Sequence, residues 1–384
     1  TERKTATLQH VSAHALYYVV NEVQPGFDAA AAALGGTVDS TIWAPLETDY
    51  EGTGGILAKL GQYFGAETDV DGNGRMIFLF ANLGALGTTA KSGFPVGYFD
   101  SKDVIFPQDT TAGCTAPGNA QGSNGADILY LLDIGTFHDH SYPYATIVGA
   151  EYPGTMAHEL QHNVNFNVKC WAPVHATPAQ SCLVEDTWVN EGLSMVSEDL
   201  AGYGLATQSE RDRLGQYFGT YQGWSMTVWQ SDAIGNYGGA HAFMRYWLDQ
   251  KGSAFTTALV TSRLAGSANL QAATGVTFEE SLSRFAGAAL FSGESFAPTT
   301  PTAGEWQYAS GVNIPWSPLH IALGYVNYTP LTAGVAATPS LRTDGWATLM
   351  TGVGSGGTAT LTVTSGEAVK PTALVVKFSG SLPR

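Results

Sequence analysis

Residues 156–166 read MAHELQHNVNF, in which two histidines stand four positions apart and a glutamate directly follows the first. The apolar residues Met156, Leu160 and Val164 recur at spacings of four, and Pro153 precedes them, as is typical of a first helical turn. On a helix, side chains four positions apart project from the same face, one turn from each other. The pattern therefore predicts a helix that presents two imidazoles side by side.

Two imidazoles at this spacing are able to bind one zinc ion. His158 and His162 would supply two nitrogen ligands, and Glu159 lies beside the same face of the helix. Its carboxylate can hold a water molecule and take a proton from it, which is the work of a general base in hydrolysis. The alternative is an ordinary helix that happens to be rich in histidine. A chance H-E-x-x-H is expected in a chain of this length on the order of one time in a hundred, so the motif alone is suggestive and not proof.

A catalytic zinc site needs a third protein ligand and one open position. The best candidate is Glu191, which lies 29 residues after His162 in TWVNEGLSMVSED, residues 187–199. Asp186 or Thr187 is a suitable N-cap for a second helix here, and two helices packed side by side would bring this carboxylate to the histidines. The alternative is a glutamate on a solvated helix face.

The chain contains three cysteines. Cys170 and Cys182 bracket a short polar segment, CWAPVHATPAQSC, that connects the two predicted helices, and Cys114 stands apart. A disulfide between Cys170 and Cys182 would close this connection outside the cell and leave Cys114 unpaired. The alternative is a cytosolic protein with three free thiols.

The residues before this region predict a sheet with accompanying helices. Apolar positions at loose helical spacing occupy 12–34, and an amphipathic helix is predicted over 55–65. Buried strands are predicted in RMIFLFANL, residues 75–83, and DILYLLDIG, residues 127–135, with a further strand at the sheet edge in 97–106.

The residues after the H-E-x-x-H segment are mainly helical up to about residue 300. Helices are predicted in 209–221, 238–252 and 277–291, and the last opens with a capping box formed by Thr277 and Glu280. From residue 301 the pattern changes to β-branched runs separated by Gly and Pro, after a Thr/Pro-rich linker. These patterns predict an α+β fold followed by a β-rich C-terminal domain over residues 301–384.

A weaker signal precedes the first buried strand. Asp69, Asp71 and Asn73 place oxygen atoms at alternate positions, as in the first half of a calcium-binding loop. The twelfth position is Phe80 and not the bidentate glutamate of an EF-hand, so a complete EF-hand is excluded. The alternatives are a turn made of good turn formers, or a calcium site completed by another acidic residue that folds over the loop.

The charge of the chain excludes some partners. The 384 residues include 33 acidic and 17 basic ones, a formal net charge of −16 that would repel nucleic acids and anionic membranes. There is no apolar run of the roughly 18 residues that a membrane span needs, and no intact signal peptide at the first residues. A mature secreted protein would have these features, and we expect a monomer.

The two motifs together resemble a known group of enzymes. AHELQHNVNF and WVNEGLSMVSED look like the gluzincin zinc peptidases, which share a thermolysin-like zinc site, and most closely like the hyicolysin family of secreted bacterial neutral metalloproteases. The similarity extends over about residues 40–300. The resemblance implies a catalytic domain over 1–300, in which 1–150 form an α/β half with a small mixed sheet and 151–300 a mainly helical half carrying the zinc site.

The resemblance also implies roles for individual residues. It assigns zinc to His158, His162 and Glu191, with Glu159 as the general base. Relatives in this clan place a Tyr or His on a later helix to steady the oxyanion, and the candidates here are Tyr237 and His241.

The chain departs from the thermolysin-type pattern at one position. Where that pattern has an aspartate that orients a ligand histidine, this chain has Met195. The orienting acid must then come from elsewhere, because a ligand histidine usually donates its other N–H to a carboxylate or carbonyl. The candidates are Glu198, Asp199 and Asp186.

The resulting functional expectation is a secreted zinc-dependent endopeptidase that hydrolyses protein or peptide substrates by zinc-activated water. One alternative is an aminopeptidase of the same clan, which would need an acidic cluster to bind a free α-amine. The other is a secreted binding protein that uses the zinc scaffold structurally. The intact Glu159 disfavours that reading, because its loss would mark an inactive scaffold.

Overall fold

The computed structural model describes residues 4–83, 94–105, 123–177, 180–229, 234–291, 328–330 and 348–350. Its strands are β1 Ala6–Val11, β2 Ala15–Val20, β3 Met76–Ala81, β4 Gly97–Phe99, β5 Ile128–Leu132, β6 Tyr328–Pro330 and β7 Thr348–Met350. Its α-helices are α1 Gln24–Leu34, α2 Ala44–Glu51, α3 Ile56–Tyr63, α4 Ile134–Asp139, α5 Tyr144–Thr146, α6 Tyr152–Phe166, α7 Ala172–Ala176, α8 Thr187–Ala201, α9 Gln208–Gly219, α10 Ile234–Lys251, α11 Ser253–Thr261, α12 Gly266–Thr274 and α13 Phe278–Phe291.

The fold is mixed α+β and is built on a small five-stranded sheet. The strand order is β1-β2-β3-β5-β4, in which β2, β3 and β5 are parallel and the two edge strands, β1 and β4, run antiparallel to their neighbours. The buried strands predicted from the sequence are confirmed as β3 and β5. The edge strand predicted over 97–106 forms only over Gly97–Phe99, as β4, and the chain turns directly after it. Among the described residues, β4 is therefore an edge strand, and none of the described strands pairs with its outer side.

The helical interpretation of residues 12–34 is only half right. The helix α1 forms its second half, but residues 15–20 are β2, a strand near the centre of the sheet. Five of these six residues are aromatic or β-branched or leucine, and their burial follows an approximate period of two, which suits a strand better than a helix. The strand β1 was not predicted from the sequence.

The helices predicted from the sequence are confirmed. Helices α3, α6, α8, α9, α10 and α13 form at the expected places. At the start of α13 the hydroxyl of Thr277 accepts a hydrogen bond from the backbone N–H of Glu280, at 3.2 Å, as the predicted cap requires.

Helix α6 is the central part of a longer helical span. It is continued by a π-helical turn on each side, 147–151 before it and 167–171 after it, which join it to α5 and α7. At its start, the hydroxyl of Tyr152 donates to the carbonyl of Leu132 at 2.8 Å, and its ring packs edge-on against Phe80 with 5.0 Å between centroids. The span is thereby fixed to the strands β3 and β5.

One close approach sets the position of the sheet edge relative to α6. A Cβ atom on Gly97, the first residue of β4, would lie 2.5 Å from the side chain of Thr155 and 3.2 Å from that of Glu159. Both residues belong to α6, so β4 can lie against this helix only because residue 97 has no side chain. Helix α8 packs on α6, and α10 packs on both α8 and α9.

The predicted C-terminal β domain, 301–384, falls almost entirely outside the described residues. Within that range β6 and β7 pair in parallel. Cys114 also lies outside the described residues. Among the helices that the structure describes, none is long and apolar enough to cross a membrane.

Candidate metal site and cleft

The structure brings His158, His162 and Glu191 together. Glu191 Oε2 lies 3.2 Å from His158 Nε2 and 3.3 Å from His162 Nε2, and the two imidazole centroids are 4.9 Å apart. One ligand atom from each residue lies within 4.8 Å of the others, which is close enough for a single metal ion. The three side chains come from two packed helices, α6 and α8, as the sequence predicts.

The surroundings favour the charged form of Glu191. Burial on its own would raise the pKa of this carboxyl, but the adjacent imidazoles, that of His162 foremost, outweigh burial and lower it. A metal ligand must be deprotonated, so a carboxyl that stays ionised in a buried position is suited to ligation.

The other ring nitrogens of the two histidines are also held. Nδ1 of His158 lies 2.9 Å from Glu198 Oε1, and Nδ1 of His162 lies 3.0 Å from the hydroxyl of Ser194. These contacts leave the Nε2 atoms of both rings directed to the Glu191 carboxylate. Partners of this kind fix the ring orientation and the tautomer of a ligand histidine.

Of the three acids considered as orienting partners, Glu198 makes the contact. Asp199 binds His241 and Arg245 instead, with distances of 2.6 and 2.7 Å from its Oδ2. The carboxylate of Asp186 lies beside the backbone of Gly266. Glu198 is seven residues beyond Glu191, two turns along α8, which returns it to the same face.

Glu159 lies on α6 between the two histidines and is buried. Burial raises the pKa of its carboxyl, and the neighbouring histidines offset only part of this effect. A carboxyl whose pKa moves upward toward neutrality is better matched to accepting a proton and giving it back during a reaction.

A cleft of about 360 Å³ opens over these side chains. The edge strand β4 forms one wall, and the segment 183–185 and the end of α6 form another. The lining residues are Gly97, Tyr98, Phe99, Ser101, His158, Glu159, His162, Asn165, Phe166, Lys169, Leu183, Val184, Glu185, Asn190, Glu191 and Tyr237. The metal-binding group and the general-base candidate are thus accessible from one side.

Tyr237 and His241, the two candidates for an oxyanion donor, occupy different environments. Tyr237 lies in the first turn of α10 and lines the cleft. Burial raises the pKa of its hydroxyl, as does the charge of Glu191, so the phenol keeps its proton. His241 is fully buried and is not among the cleft-lining residues, and both of its ring nitrogens contact carboxylates, those of Asp199 and Glu210.

The predicted disulfide between Cys170 and Cys182 is confirmed. It closes the connection between α6 and α8. A buried ion pair, Lys169 Nζ to Glu185 Oε2 at 2.9 Å, holds the same connection just outside the disulfide. Together these links fix the segment 183–185 where it forms the cleft wall.

At the candidate calcium loop, Asp69 and Asp71 lie close to a third carboxylate, that of Asp127. Asn73 is engaged within the loop, where its amide donates to Asp71 Oδ2 at 2.7 Å and its oxygen accepts from the backbone N–H of Arg75. Asp127 is the acid that folds over the loop. Calcium binding remains a prediction, and the candidate ligands are now Asp69, Asp71 and Asp127, without Asn73.

Sequence reasoning missed Asp127, Ser194 and Arg213. For the first two a signal existed. Asp127 immediately precedes β5, and the loop precedes β3, so the amino ends of two neighbouring parallel strands bring them together. Ser194 is three residues after Glu191 on the same helix face. Arg213 lies on α9, and no local pattern connects it with the site.

No protein-family model matches the chain, and no curated protein matches it. The resemblance to the hyicolysin family and other gluzincins, which rests on short motifs, therefore remains an interpretation. What this chain does must be inferred from its own residues and their geometry.

Proposed function

We propose that this chain is a secreted zinc-dependent endopeptidase that hydrolyses peptide bonds in protein or peptide substrates. The observation that carries the proposal is the convergence of His158, His162 and Glu191 at an open cleft with Glu159 beside them. Two imidazoles and one carboxylate are a ligand set that catalytic zinc uses, with a further position left for water or substrate.

The donor set fits zinc for a second reason. Each histidine has its Nδ1 occupied by a protein partner, Glu198 or Ser194, so its Nε2 is the nitrogen left to bind a metal. When bound, zinc would supply Lewis acidity to the scissile carbonyl group. His158, His162 and Glu191 would hold it.

Glu159 is the general base of the proposed reaction. Its carboxylate takes a proton from the attacking water and afterwards gives it to the leaving amine. The raised pKa of this carboxyl supports both steps, because a very acidic carboxyl would be a poor base and a poor proton carrier. The tight packing of Gly97 against its side chain keeps the carboxyl in place.

Tyr237 is the donor to the oxyanion that develops on the substrate carbonyl. Its hydroxyl stays protonated at neutral pH, and its ring is held between Trp229, at 4.8 Å between centroids, and the guanidinium of Arg213. A positioned O–H that meets developing negative charge in a partly buried cleft stabilises the transition state.

The edge strand β4 favours an endopeptidase over an aminopeptidase. An extended peptide can pair with an edge strand by main-chain hydrogen bonds, which needs no chain terminus. An aminopeptidase would need free acidic groups for the α-amine. The described cleft-lining residues include three glutamates. Glu159 and Glu191 belong to the metal site, and the third, Glu185, is neutralised by Lys169.

The disulfide supports the proposed secretion, because such bonds persist mainly in oxidising compartments. The second candidate function, a secreted binding protein with structural zinc, is favoured by no feature of the cleft. A structural zinc site is normally closed by a fourth protein ligand, whereas these three residues line an accessible cavity.

The test combines zinc content with hydrolysis of a quenched protein substrate, for the wild type and for Glu159→Gln. We expect one zinc per chain in both, and a loss of about 1000-fold in kcat for the variant, within the range that general-base catalysis contributes. Glu151→Gln is a matched control: Glu151 is a buried glutamate on the same helical span, it caps α9 through Gln208 and Ser209, and it is not among the cleft-lining residues.

The control should lower the melting temperature and leave kcat nearly unchanged. Zinc binding without hydrolysis in the wild type would favour the structural-zinc alternative. Absence of zinc from the wild type would overturn the proposed function. Release of amino acids from peptide N-termini only, with no internal cleavage, would point to the aminopeptidase.

A further inference from the structure

Arg213 contacts two parts of the proposed active site that lie on different helices. Its Nη1 lies 3.5 Å from Glu198 Oε1 on α8, and its Cζ lies 5.1 Å from the ring centroid of Tyr237 on α10. Glu198 orients the ligand histidine His158, and Tyr237 lines the cleft. One guanidinium group thus lies between the partner of a metal ligand and the proposed oxyanion donor.

In the thermolysin-type pattern an aspartate orients the ligand histidine, and in this chain Glu198 has that role. Met195 occupies the position of the usual orienting aspartate, and Arg213 Nη1 lies 3.2 Å from its sulfur. Glu198 comes from the next turn of α8, so its carboxylate needs a group that holds it in place. Arg213 reaches Met195 and Glu198 with the same nitrogen.

Arg213 neutralises the buried carboxylate of Glu198. Glu198 is buried, and a buried carboxylate needs a nearby cation. His158 cannot be that cation while it ligates a metal, because a ligating imidazole is neutral. Among the described residues, Arg213 supplies a permanently charged group within 4 Å of Glu198, with 3.5 Å between Nη1 and Oε1.

The backbone of Arg213 packs closely against helix α10. A Cβ atom on Gly238 would lie 2.1 Å from the backbone oxygen of Arg213, so α10 approaches α9 this closely only because residue 238 is glycine. The same Nη1 atom also lies 3.6 Å from Glu210 Oε2. Gly238 directly follows Tyr237, so the same contact positions the tyrosine and the arginine together.

We propose that Arg213 is a positioning residue for the peptidase reaction. It holds the Glu198 carboxylate on His158, and it holds the ring of Tyr237 at the cleft. This inference rests on the proposed function, and it assigns to one residue the alignment of the metal ligand and of the oxyanion donor.

The test compares Arg213→Gln, which removes the charge, with Arg213→Lys, which keeps the charge but loses the planar guanidinium. The readouts are the zinc dissociation constant, measured by competition with a chelator of known affinity, together with kcat, KM and melting temperature. For Arg213→Gln we expect about tenfold weaker zinc binding, the lower end of what loss of an outer partner costs. We also expect a fall in kcat that exceeds any change in KM.

For Arg213→Lys we expect zinc affinity within about threefold of the wild type, because an ammonium group still neutralises Glu198. Its kcat should recover only in part, because the contact of the guanidinium with the ring of Tyr237 is lost. This variant retains the buried charge, so it keeps the inference testable if Arg213→Gln does not fold. A wild-type kcat in Arg213→Lys would then overturn the role of the guanidinium in holding Tyr237.

Arg245→Gln is the matched control. Arg245 is a fully buried arginine on α10 that pairs with Asp199 and Asp249. Its loss should lower the melting temperature without a comparable loss of zinc affinity. If Arg245→Gln and Arg213→Gln weaken zinc binding equally, or if Arg213→Gln changes only the melting temperature, the inference is wrong.

Failure of the proposed function gives a different pattern. A wild type that binds zinc but hydrolyses nothing removes the peptidase reaction, whereas the zinc affinities of the Arg213 variants still decide whether Arg213 holds Glu198 in place. A wild type that binds no zinc overturns both. Hydrolysis by the wild type with unchanged zinc affinity and kcat in Arg213→Gln overturns only the role of Arg213.

Discussion

Two groups of histidines in the helical half have opposite surroundings: the pair His158 and His162 forms the first, and His241 alone forms the second. His158 and His162 each use one ring nitrogen for a protein partner and direct the other to a shared carboxylate at an open cleft. His241 lies fully inside, and both of its ring nitrogens contact carboxylates. The first group has capacity left for a metal, and the second has none.

The charge of His241 follows from its neighbours. Burial lowers the pKa of this imidazole, but Asp199 and Glu210 outweigh burial and raise it to about 10. Asp199 carries the negative charge, since His241 and Arg245 lower its pKa despite burial, whereas burial raises that of Glu210. A histidine held as a cation in this way stabilises the interior and is not available as a ligand or a base.

The largest expected effect comes from removing a ligand of the first group. His162→Gln should lose zinc and reduce kcat by more than about 1000-fold, because both the Lewis acid and its orientation depend on the ligand set. The melting temperature of the variant should match that of wild type treated with a chelator. Elemental analysis, a protease assay and thermal unfolding measure the three quantities.

The exposed His14 provides the control for a histidine substitution as such. His14→Gln should keep both zinc and activity. Full zinc content in His162→Gln would show that the two groups of histidines do not differ as their surroundings suggest.

The next effect in size concerns His241 and appears in stability. His241→Gln should lower the free energy of unfolding by about 3 kcal/mol near pH 6, the lower end of what breaking a buried ion pair costs. Because the folded pKa of about 10 lies above the ordinary value of 6.5, the stabilisation is full below about pH 6.5. It is lost as the pH rises through about 10.

Urea unfolding at pH 6, 8 and 10 measures this dependence. The difference between wild type and His241→Gln should shrink steadily toward pH 10, while zinc content stays at one per chain. A difference that does not change with pH would mean that His241 is neutral in the folded protein. If His241→Gln instead lost zinc and kept the stability of the wild type, His241 would have to be a metal ligand.

The local patterns of the sequence were enough to predict six of the thirteen α-helices that the structure describes, and the candidate ligands. The repeat of Met156, Leu160 and Val164 carries a strong helical period, and the spacing of the histidines fixes which face they share. Glu198 could also have been chosen over Asp199, because seven residues bring it back to the face of Glu191, whereas its neighbour is rotated by about 100°.

Other features depend on how distant segments pack and leave no local pattern. The sequence around His241 does not distinguish it from a catalytic histidine. Only the fold shows its role, because α9 brings Glu210 and α8 brings Asp199 into contact with its ring nitrogens. Gly238, next to Tyr237, allows α10 to pack closely on α9, and no local pattern indicates this role. Residues 15–20 form a strand because their neighbours in the sheet bury them on alternate positions, which overrides a loose helical spacing.

The smallest expected effect distinguishes Tyr237 from His241, the two residues that the sequence left as alternatives for the oxyanion donor. Tyr237→Phe keeps the ring against Trp229 and Arg213 and removes only the hydroxyl, so the melting temperature and zinc content should not change. Its kcat should fall by about 100-fold with little change in KM, since the hydroxyl meets charge that develops only in the transition state. Steady-state kinetics on one peptide substrate suffice. An unchanged kcat would remove Tyr237 from the reaction, and an equal rise in KM would make its hydroxyl a substrate contact instead.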